Sequence, residues 1–321
     1  MRETLSIVCP AYQEEEVLPL FHAALDAALK PLAEYDIEIL YVDDGSRDRT
    51  LNVLREIAAA DPRVRYLSLS RNFGHQAALT AGLEHAVGDA VVSLDSDLQH
   101  PPTLIPELVA KWRAGSEVVL TIRADDPGLG WFKRASSRAF YRLLARCSKL
   151  DVRPAASDFR LLSRDAKDAL LRLNESHRYI RGMVQWIGFR TTEVPFHPHR
   201  RQAGVSKYTL RKMVRFALDG LLSFSPIPMR AAVTGALAVT GASWLLGSIA
   251  TLAVGSWSES ATRLALLGLA GVHGLAAGLF LAAGVLGEYL VRIYDQSKSR
   301  PRYLVREASP VAAAMPTARA A

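Results

Sequence analysis

Residues 91–102, VVSLDSDLQHPP, carry the clearest candidates for chemistry in this chain. Asp95 and Asp97 follow an apolar run, and side chains two apart at a strand end point the same way, so both carboxylates can face one hard cation. Magnesium binds through one or two carboxylates plus substrate phosphates, which suits the departure of a nucleoside diphosphate. The alternative for an isolated Asp-Ser-Asp is a polar turn. The stretch therefore predicts either a metal site for phosphates or a turn.

A second acidic pair, Asp43 and Asp44, also closes an apolar run and precedes Gly45. These carboxylates can accept hydrogen bonds from a base N–H or a ribose hydroxyl, or they can make an Asx turn. The chain has no G-x-G-x-x-G after its first apolar run and no G-K-[ST], which excludes the dinucleotide fingerprint and the P-loop. Phosphates must then be handled by a metal and by side chains.

Strand and helix patterns alternate four times up to Asp97, which indicates how these acidic residues are positioned. Strands are predicted over residues 5–9, 37–42 and 64–69 and over the run that leads into Asp95. Such alternation predicts an α/β fold with a mostly parallel sheet, helices on both faces and ligands at the carboxyl ends of the strands.

The chain has a net charge of +7, with 50% hydrophobic and 22% charged residues, but these averages hide two uncharged stretches. Residues 231–255 have no charged side chain, and residues 264–287 have only His273 as an ionisable group. Each would be about 36 Å long as a helix, enough to cross a hydrocarbon core of about 30 Å. Buried core helices are the alternative. We predict two membrane spans, with glycine-rich faces that allow close helix packing.

The short link between the predicted spans makes them a hairpin with both ends on one side of the membrane. Basic residues flank the hairpin, whereas the link has only Arg263. The flanking residues are Arg200, Arg201, Lys207, Arg211, Lys212, Arg215 and Arg230 before it and Arg292, Lys298, Arg300, Arg302 and Arg306 after it. This predicts a multi-pass protein of the plasma (inner) membrane with the large N-terminal domain and both termini cytoplasmic. Membrane lipids are therefore favoured as partners over nucleic acid, and Cys9 and Cys147 make no disulfide or metal pattern.

Four ordered motifs identify a family that the chain resembles. They are I-V-C-P-A-Y-Q-E-E (7–15), Y-V-D-D-G-S-R-D-R-T (41–50), R-N-F-G-H-Q-A-A-L-T-A-G (71–82) and L-D-S-D-L-Q-H-P-P (94–102). The set resembles the family 2 glycosyltransferases and, within them, the polyprenyl-phosphate glycosyltransferases of the dolichol-phosphate mannosyltransferase and bactoprenol glucosyltransferase group. The similarity continues through residues 157–164, 201–208, 287–294 and 300–303 and covers nearly the whole chain.

The resemblance implies a GT-A type, Rossmann-like catalytic domain and an inverting, metal-dependent transfer reaction. A sugar would pass from a nucleotide-sugar donor to polyprenyl (undecaprenyl) phosphate at the cytoplasmic face, for a cell-envelope glycan. A UDP-sugar such as UDP-glucose is favoured and GDP-mannose is open, with Mg²⁺ or Mn²⁺ as the cofactor. The resemblance and the glycine-rich spans are also compatible with a homo-oligomer, a dimer or a tetramer.

The resemblance also assigns residues to the donor site. The nucleoside would be held by Pro10, Tyr12, Glu14, Val42 and Asp44; the metal by Asp95, Asp97 and Gln99; and the phosphates by Arg123, Arg201 and Lys207. Two positions depart from the family pattern, since Gln13 replaces the usual Asn and Ser96 the usual Ala. Ser96 would place a hydroxyl near the sugar or the metal.

Asp158 is the carboxylate that we expect nearest the anomeric carbon, as an orienting group or a base, with Arg160 two residues later. A phosphate monoester is already ionised near neutral pH, so this acceptor needs no strong base. A single displacement would invert the anomeric centre. The alternative is that Asp158 only pairs with Arg160 or caps a helix.

The predicted domains are a catalytic domain (1–206), a juxtamembrane amphipathic helix and linker (207–228), two transmembrane helices (229–292) and a partly disordered cytoplasmic tail (293–321). Residues 208–222 have apolar side chains on one helical face and basic ones off it, which predicts a helix in the membrane interface or one packed on the catalytic domain. A basic stripe would meet lipid phosphate or headgroups, or be a solvated helix face. Its members are Arg134, Arg138, Arg142 and Arg146.

Two other functions remain as alternatives. A processive polysaccharide synthase is disfavoured by the two spans and by the absence of Q-x-x-R-W, since Gln185 is followed directly by Trp186. A non-catalytic scaffold that binds nucleotide or lipid carrier is disfavoured because Asp95 and Asp97 are both present.

Overall fold

The computed structural model describes residues 2–123, 156–175, 178–197, 227–253 and 260–309. These fall into two compact units. The first contains the described residues up to 197 together with 301–309, and the second contains residues 227–253 and 260–300. The predicted interfacial helix (208–222), the arginine stripe, Arg201 and Lys207 lie outside the described residues.

The first unit is built on one sheet, which has eight strands in the described part of the chain. The strands are β1 (Thr4–Ala11), β2 (Asp36–Asp43), β3 (Val64–Leu69), β4 (Ala90–Ser93), β5 (Val118–Arg123), β6 (Ala156–Ser163), β7 (Thr191–Phe196) and β8 (Val305–Ala308). Their spatial order is β7-β5-β6-β4-β1-β2-β3-β8. The central pairs β4–β1, β1–β2 and β2–β3 are parallel, whereas β6 runs antiparallel to both β4 and β5.

Six helices of this unit connect or cover the strands. They are α1 (Leu18–Leu29), α2 (Thr50–Ala60), α3 (His75–His85), α4 (Ile105–Arg113), α5 (Arg164–Arg172) and α6 (Ile180–Trp186) among the described residues. Phe21 and Leu25 of α1 are fully buried against Ile39 and Tyr41 of β2 in the main hydrophobic core. The apolar spacing of α1 thus buries one helical face on the sheet.

The predicted fold class is confirmed. β1 to β4 lie within one or two residues of the predicted strands, and β3 coincides with residues 64–69. What the sequence pattern did not predict is β8, a strand of the C-terminal segment that pairs antiparallel with β3 at the edge of the sheet. Glu307 of β8 also accepts two hydrogen bonds from Arg55, at 2.9 and 2.6 Å.

The second unit contains two long helices, α7 (Ile227–Ala253) and α8 (Ser260–Ser297). Within them, Met229–Ile249 and Leu267–Ser297 are long and apolar enough to cross a membrane. Large side chains point outward, such as Phe280, which is 78% exposed. The helices are longer than the predicted spans, since α7 begins four residues before residue 231 and α8 continues ten residues past residue 287.

Small residues let these two helices pack closely. A Cβ at Gly278 would lie 2.7 Å from the Ala236 carbonyl oxygen, and one at Gly274 would lie 2.3 Å from Ser243 Cβ. The hydroxyl of Thr240 donates to the carbonyls of Ala236 and Gly274, at 2.9 and 3.3 Å. Glycines on one face of α8 therefore serve the hairpin itself, as small-residue interfaces do between membrane helices.

Candidate active site

The candidate site lies where the parallel strands β1, β2 and β4 end. The carboxyl ends of parallel neighbours meet at one edge of a sheet, and a polar segment follows each of these strands. The last residue of β4, Ser93, pairs with Val8, three residues before the end of β1. The segment after β4 therefore runs beside the last residues of β1, where the Ser96 hydroxyl donates to the Pro10 carbonyl at 2.9 Å.

The segment after β1 is fastened to the segment after β2. Gln13 adopts a positive φ of 55°, and its N–H donates to Ser46 Oγ at 2.9 Å. The next N–H, that of Glu14, donates to Thr50 Oγ1 at 2.9 Å. Tyr12 and Glu14, both predicted to bind the nucleoside, are half-buried in this segment.

Both acidic residues at the end of β2 are buried and hydrogen-bonded. Asp43 accepts from the Ser46 N–H at 2.9 Å and from the Ser68 hydroxyl at 2.8 Å. Asp44 accepts from the N–H groups of Phe73 and Gly74 at 2.7 and 2.9 Å. Asp43 therefore closes the loop after β2 through a bond to the third residue on, instead of the Asx turn that the sequence left open, and Asp44 fixes the loop before α3.

Burial raises the pKa of Asp44, and the hydrogen bonds from Phe73 and Gly74 oppose that rise. Because a carboxylate has about four lone-pair sites, Asp44 retains capacity for a further donor. Val42 is fully buried in the core under α3, so its side chain packs inside the protein.

The segment that carries Asp95 and Asp97 is tightly turned. Asp97 Oδ1 accepts from the Gln99 N–H at 3.1 Å, and Leu98 between them has a positive φ of 60°. Ser96 is only 2% exposed, so its hydroxyl ties this segment to β1. That the Ser96 hydroxyl lies near the sugar or the metal stays a prediction. Its hydrogen bond to the Pro10 carbonyl gives it a structural role.

Asp158 of β6 lies at the centre of a cluster of cationic groups. It accepts from Arg160 Nη2 at 2.5 Å, and from Arg181 Nε and Nη2 at 3.1 and 2.7 Å. Burial alone raises the pKa of Asp158, but Arg181, His75 and Arg160 outweigh it and hold that pKa well below its usual range. The pairing with Arg160 that the sequence left as an alternative is present, and the lowered pKa keeps Asp158 ionised near neutral pH.

His75, the first residue of α3, links this cluster to the segment after β4. Its Nε2 lies 3.5 Å from Asp95 Oδ1 and 3.5 Å from Asp158 Oδ2. Burial lowers the pKa of His75, but the two carboxylates outweigh it and raise the pKa to about 9. A protonated imidazole therefore lies between the two carboxylates.

His100 is the second histidine beside Asp95. Its Nδ1 accepts from the Asp95 N–H at 3.2 Å, and its Nε2 lies 2.7 Å from Ser157 Oγ. Sequence reasoning did not select His75, His100 or Arg181. The first two stand inside motifs that carry the family resemblance, but Arg181 lies outside every motif, and only the tertiary fold brings it to Asp158.

The donor atoms at the site suit a hard divalent cation. The Asp95 side chain is 33% exposed, and its oxygens face only the two histidines among the described residues, at 3.5 and 3.6 Å. Gln99 Oε1 lies 3.4 Å from Arg123 Nη2. The described residues contain no group of three or more His, Cys, Asp or Glu arranged around one ion. The residues therefore fit an ion that takes further ligands from phosphate and water.

The chain is similar to known proteins along most of its length. The family model described as Glycosyl transferase family 2 matches residues 6–171. The uncharacterized glycosyltransferase YkcC of Bacillus subtilis is 40% identical over 303 residues, which cover 94% of this chain and 93% of the relative. The bactoprenol glucosyl transferase of Shigella phage SfX is 38% identical over 307 residues, covering 94% and 98%.

Solved structures are more distant. Glucosyl-3-phosphoglycerate synthase from Mycobacterium tuberculosis, in complex with Mn²⁺, UDP-glucose and phosphoglyceric acid, has a TM-score of 0.46 and 23% identity and covers 69% of this chain and 79% of its own. TarS from S. aureus has a TM-score of 0.41 and 20% identity, with coverages of 60% and 58%.

Proposed function

The chain belongs to glycosyl transferase family 2, and from that premise we propose that it transfers a sugar from a nucleotide-sugar donor to a polyprenyl phosphate at the cytoplasmic membrane face, with inversion. The acceptor is supported by relatives named bactoprenol glucosyl transferase, which match almost end to end at 35–38% identity. The observation that carries the proposal is the open Asp95 carboxylate beside the ionised Asp158 cluster. UDP-glucose is the favoured donor.

The donor would occupy the edge formed by the ends of β1, β2 and β4. Tyr12, Glu14 and Asp44 would contact the nucleoside through their side chains. Val42 would contribute a main-chain group, since its side chain is fully buried. Pro10 would contribute its carbonyl, which has a second lone pair beside the bond from Ser96.

Asp95, Asp97 and Gln99 would hold a divalent cation, Mg²⁺ or Mn²⁺, through oxygen ligands. When bound, such an ion offsets the negative charge that develops on a departing diphosphate. Arg123 ends β5 near Gln99 and would meet the same phosphates, together with Arg201 and Lys207.

The acceptor phosphate needs orientation more than deprotonation. Its oxygen would form a bond to the anomeric carbon as the bond to the diphosphate breaks, and one such displacement inverts that carbon. A group with a strongly lowered pKa is a weak base, so Asp158 would act by orienting Arg181 and Arg160. Cationic groups there would reduce the repulsion between acceptor and donor phosphates.

The membrane arrangement is part of the proposal. Two apolar helices support membrane association. β8 follows α8 in the chain and yet belongs to the sheet of the catalytic unit, which supports an even number of crossings. With the basic flanks, this favours a plasma-membrane protein with its catalytic domain and both termini cytoplasmic, next to anionic lipids. A dimer or tetramer is proposed only from the resemblance.

The test uses the purified full chain in detergent with undecaprenyl phosphate, Mg²⁺ or Mn²⁺ and a panel of UDP- and GDP-sugars, and follows the glycolipid by mass. We expect one donor to give a monoglycosylated lipid phosphate, and Asp97→Ala to abolish it. Asp36→Ala is the matched control, because Asp36 is exposed at the start of β2. If nucleotide binds but no donor turns over, the scaffold alternative replaces the enzyme.

A further inference from the structure

His100 is buried in a position that joins the segment after β4 to β6. It is 7% exposed, and its ring packs against those of Phe159 and Phe196, with centroids 5.6 and 5.7 Å away. Ser157, its partner on β6, also accepts from the Phe159 N–H at 3.2 Å. Packing against two aromatic rings and hydrogen bonds at both nitrogens give this imidazole one orientation.

The hydrogen bonds determine the tautomer of His100. The Asp95 N–H can only donate, so Nδ1, at 3.2 Å, must be the acceptor. The single proton of the neutral ring is then on Nε2, which donates to Ser157 Oγ at 2.7 Å. A ring with its proton on Nδ1 would lose the bond to the Asp95 main chain.

The link that His100 makes between Asp95 and Ser157 matters because the pairing of β4 with β6 ends just before it. Ser93 is the last residue of β4 paired with β6, opposite Arg160, and its hydroxyl donates to the Asp158 carbonyl at 2.7 Å. Beyond Ser93 the pairing with β1 continues, since the Leu94 N–H donates to the Val8 carbonyl at 3.1 Å, but the pairing with β6 does not. His100 therefore replaces the missing ladder bonds between Asp95 and β6.

We propose that His100 is a positioning residue: through its Nδ1 and Nε2 it fixes the main chain of Asp95 to Ser157 and so sets the distance between the Asp95 carboxylate and Asp158. The inference rests on the proposed function, because it treats Asp95 as a metal-binding residue. Groups that orient a ligand to a metal change its affinity by about 10-fold to 100-fold when they are removed.

The experiment compares three variants with the wild type as full-length proteins in detergent. His100→Phe keeps an aromatic ring packed against Phe159 and Phe196 but removes both nitrogens. His100→Asn returns an acceptor near the Nδ1 position, and Ser157→Ala removes the Nε2 partner. Mn²⁺ affinity is measured by electron paramagnetic resonance with UDP present, and thermal stability is measured without metal.

His100→Phe is expected to bind Mn²⁺ about 10-fold more weakly while melting close to the wild type, and His100→Asn is expected to recover part of the loss. His85→Phe is the control, since the partners of His85 among the described residues are the Ala81 carbonyl within α3 and the Tyr303 hydroxyl. The ¹⁵N spectrum of histidine-labelled, metal-free protein should show an acceptor-type Nδ1 that disappears in His100→Phe.

Unchanged Mn²⁺ affinity in both His100→Phe and Ser157→Ala would overturn the proposal, as would a proton on Nδ1. If His100→Phe does not fold, Ser157→Ala decides by the same measurement, with weaker Mn²⁺ binding supporting the proposal. Glycolipid formation by the wild type is assayed separately. A wild type that binds Mn²⁺ and UDP but makes no glycolipid contradicts the proposed function, and the affinities of the variants still decide the role of His100.

Discussion

At the scale of single residues, the site is organised by ion pairs around a buried carboxylate. Asp158 has three cationic neighbours, Arg160, Arg181 and His75, and Arg160 is 1% exposed. Two nitrogens of Arg160, Nε and Nη1, have no hydrogen-bond partner among the described residues. The charge of Asp158 is therefore what makes a buried guanidinium tolerable at this place.

Asp158→Asn should destabilise the protein as well as reduce turnover. It leaves Arg160 buried without a counter-charge, a defect that typically costs about 3 kcal/mol or more. The melting temperature in detergent and the rate of glycolipid formation would be measured together. Asp36→Asn, at an exposed position at the start of β2, should change stability by less than about 0.5 kcal/mol. A stable Asp158→Asn protein would show that Arg160 finds another partner.

The contribution of Asp158 should also depend on pH in a defined direction. Because its folded pKa is lowered below the ordinary value of 3.8, the stabilisation is fully present above that value and is lost as the pH falls through the folded pKa. The difference in stability between wild type and Asp158→Asn should thus be constant from about pH 6 to pH 5 and shrink only below about pH 4. At higher pH the difference also reflects the loss of the His75 proton, because Asp158 helps to raise the pKa of His75. A difference that changes between about pH 6 and pH 5 would mean a raised pKa of Asp158, as expected of a general base.

At the scale of elements, the loops between strands and helices carry the site, and one glycine controls two of them. Gly45 has a φ of +65°, and a Cβ there would lie 2.3 Å from the main-chain carbon of Arg71. The loop after β2 and the loop before α3 therefore touch main chain to main chain. Their contact keeps Asp44 in reach of the Phe73 and Gly74 N–H groups.

Gly45→Ala should be far more damaging than the same change at Gly188. Gly188 has a similar φ of +72°, but a Cβ there meets nothing within 4 Å, so only the left-handed strain of about 1 kcal/mol applies. Gly45→Ala also displaces the main chain of Arg71, so it should lower the free energy of unfolding by about 3 kcal/mol or more. It should also weaken nucleotide binding. Thermal melts and UDP titrations would measure both, and equal effects at the two positions would contradict this.

The elements also show what the sequence could and could not predict. The strands β1 to β4 are apolar runs between turn residues, so local pattern sufficed to predict them. β8 has the sequence VREA and exposed side chains, and it is a strand only because β3 offers an edge to pair with. Likewise Asp95 and Asp158 were predicted as site residues, whereas Arg181 reaches Asp158 only through the packing of α6, which no local spacing encodes.

At the scale of the whole molecule, the chain leaves the catalytic unit, forms the two apolar helices and then returns to it. Arg302 donates to Asn174 Oδ1 at 2.7 Å, and Tyr303 donates to Glu84 at 2.5 Å. Together with β8, these contacts fix residues 302–308 to the first unit. In the proposed membrane-bound protein, a segment so fixed would lie on the same side of the membrane as β3.

Together with the proposed cytoplasmic position of the catalytic unit, this connectivity predicts the accessibility of introduced cysteines in right-side-out membrane vesicles. Ser258→Cys, in the link between α7 and α8, should react with a membrane-impermeant maleimide, whereas Val305→Cys and Asp168→Cys should react only after the vesicles are opened. The parent protein supplies the background of its own two cysteines, of which Cys9 is buried. If Val305→Cys reacted in sealed vesicles while Asp168→Cys did not, the two apolar helices would not form a hairpin, and β8 could not pair with β3 in the membrane-bound protein.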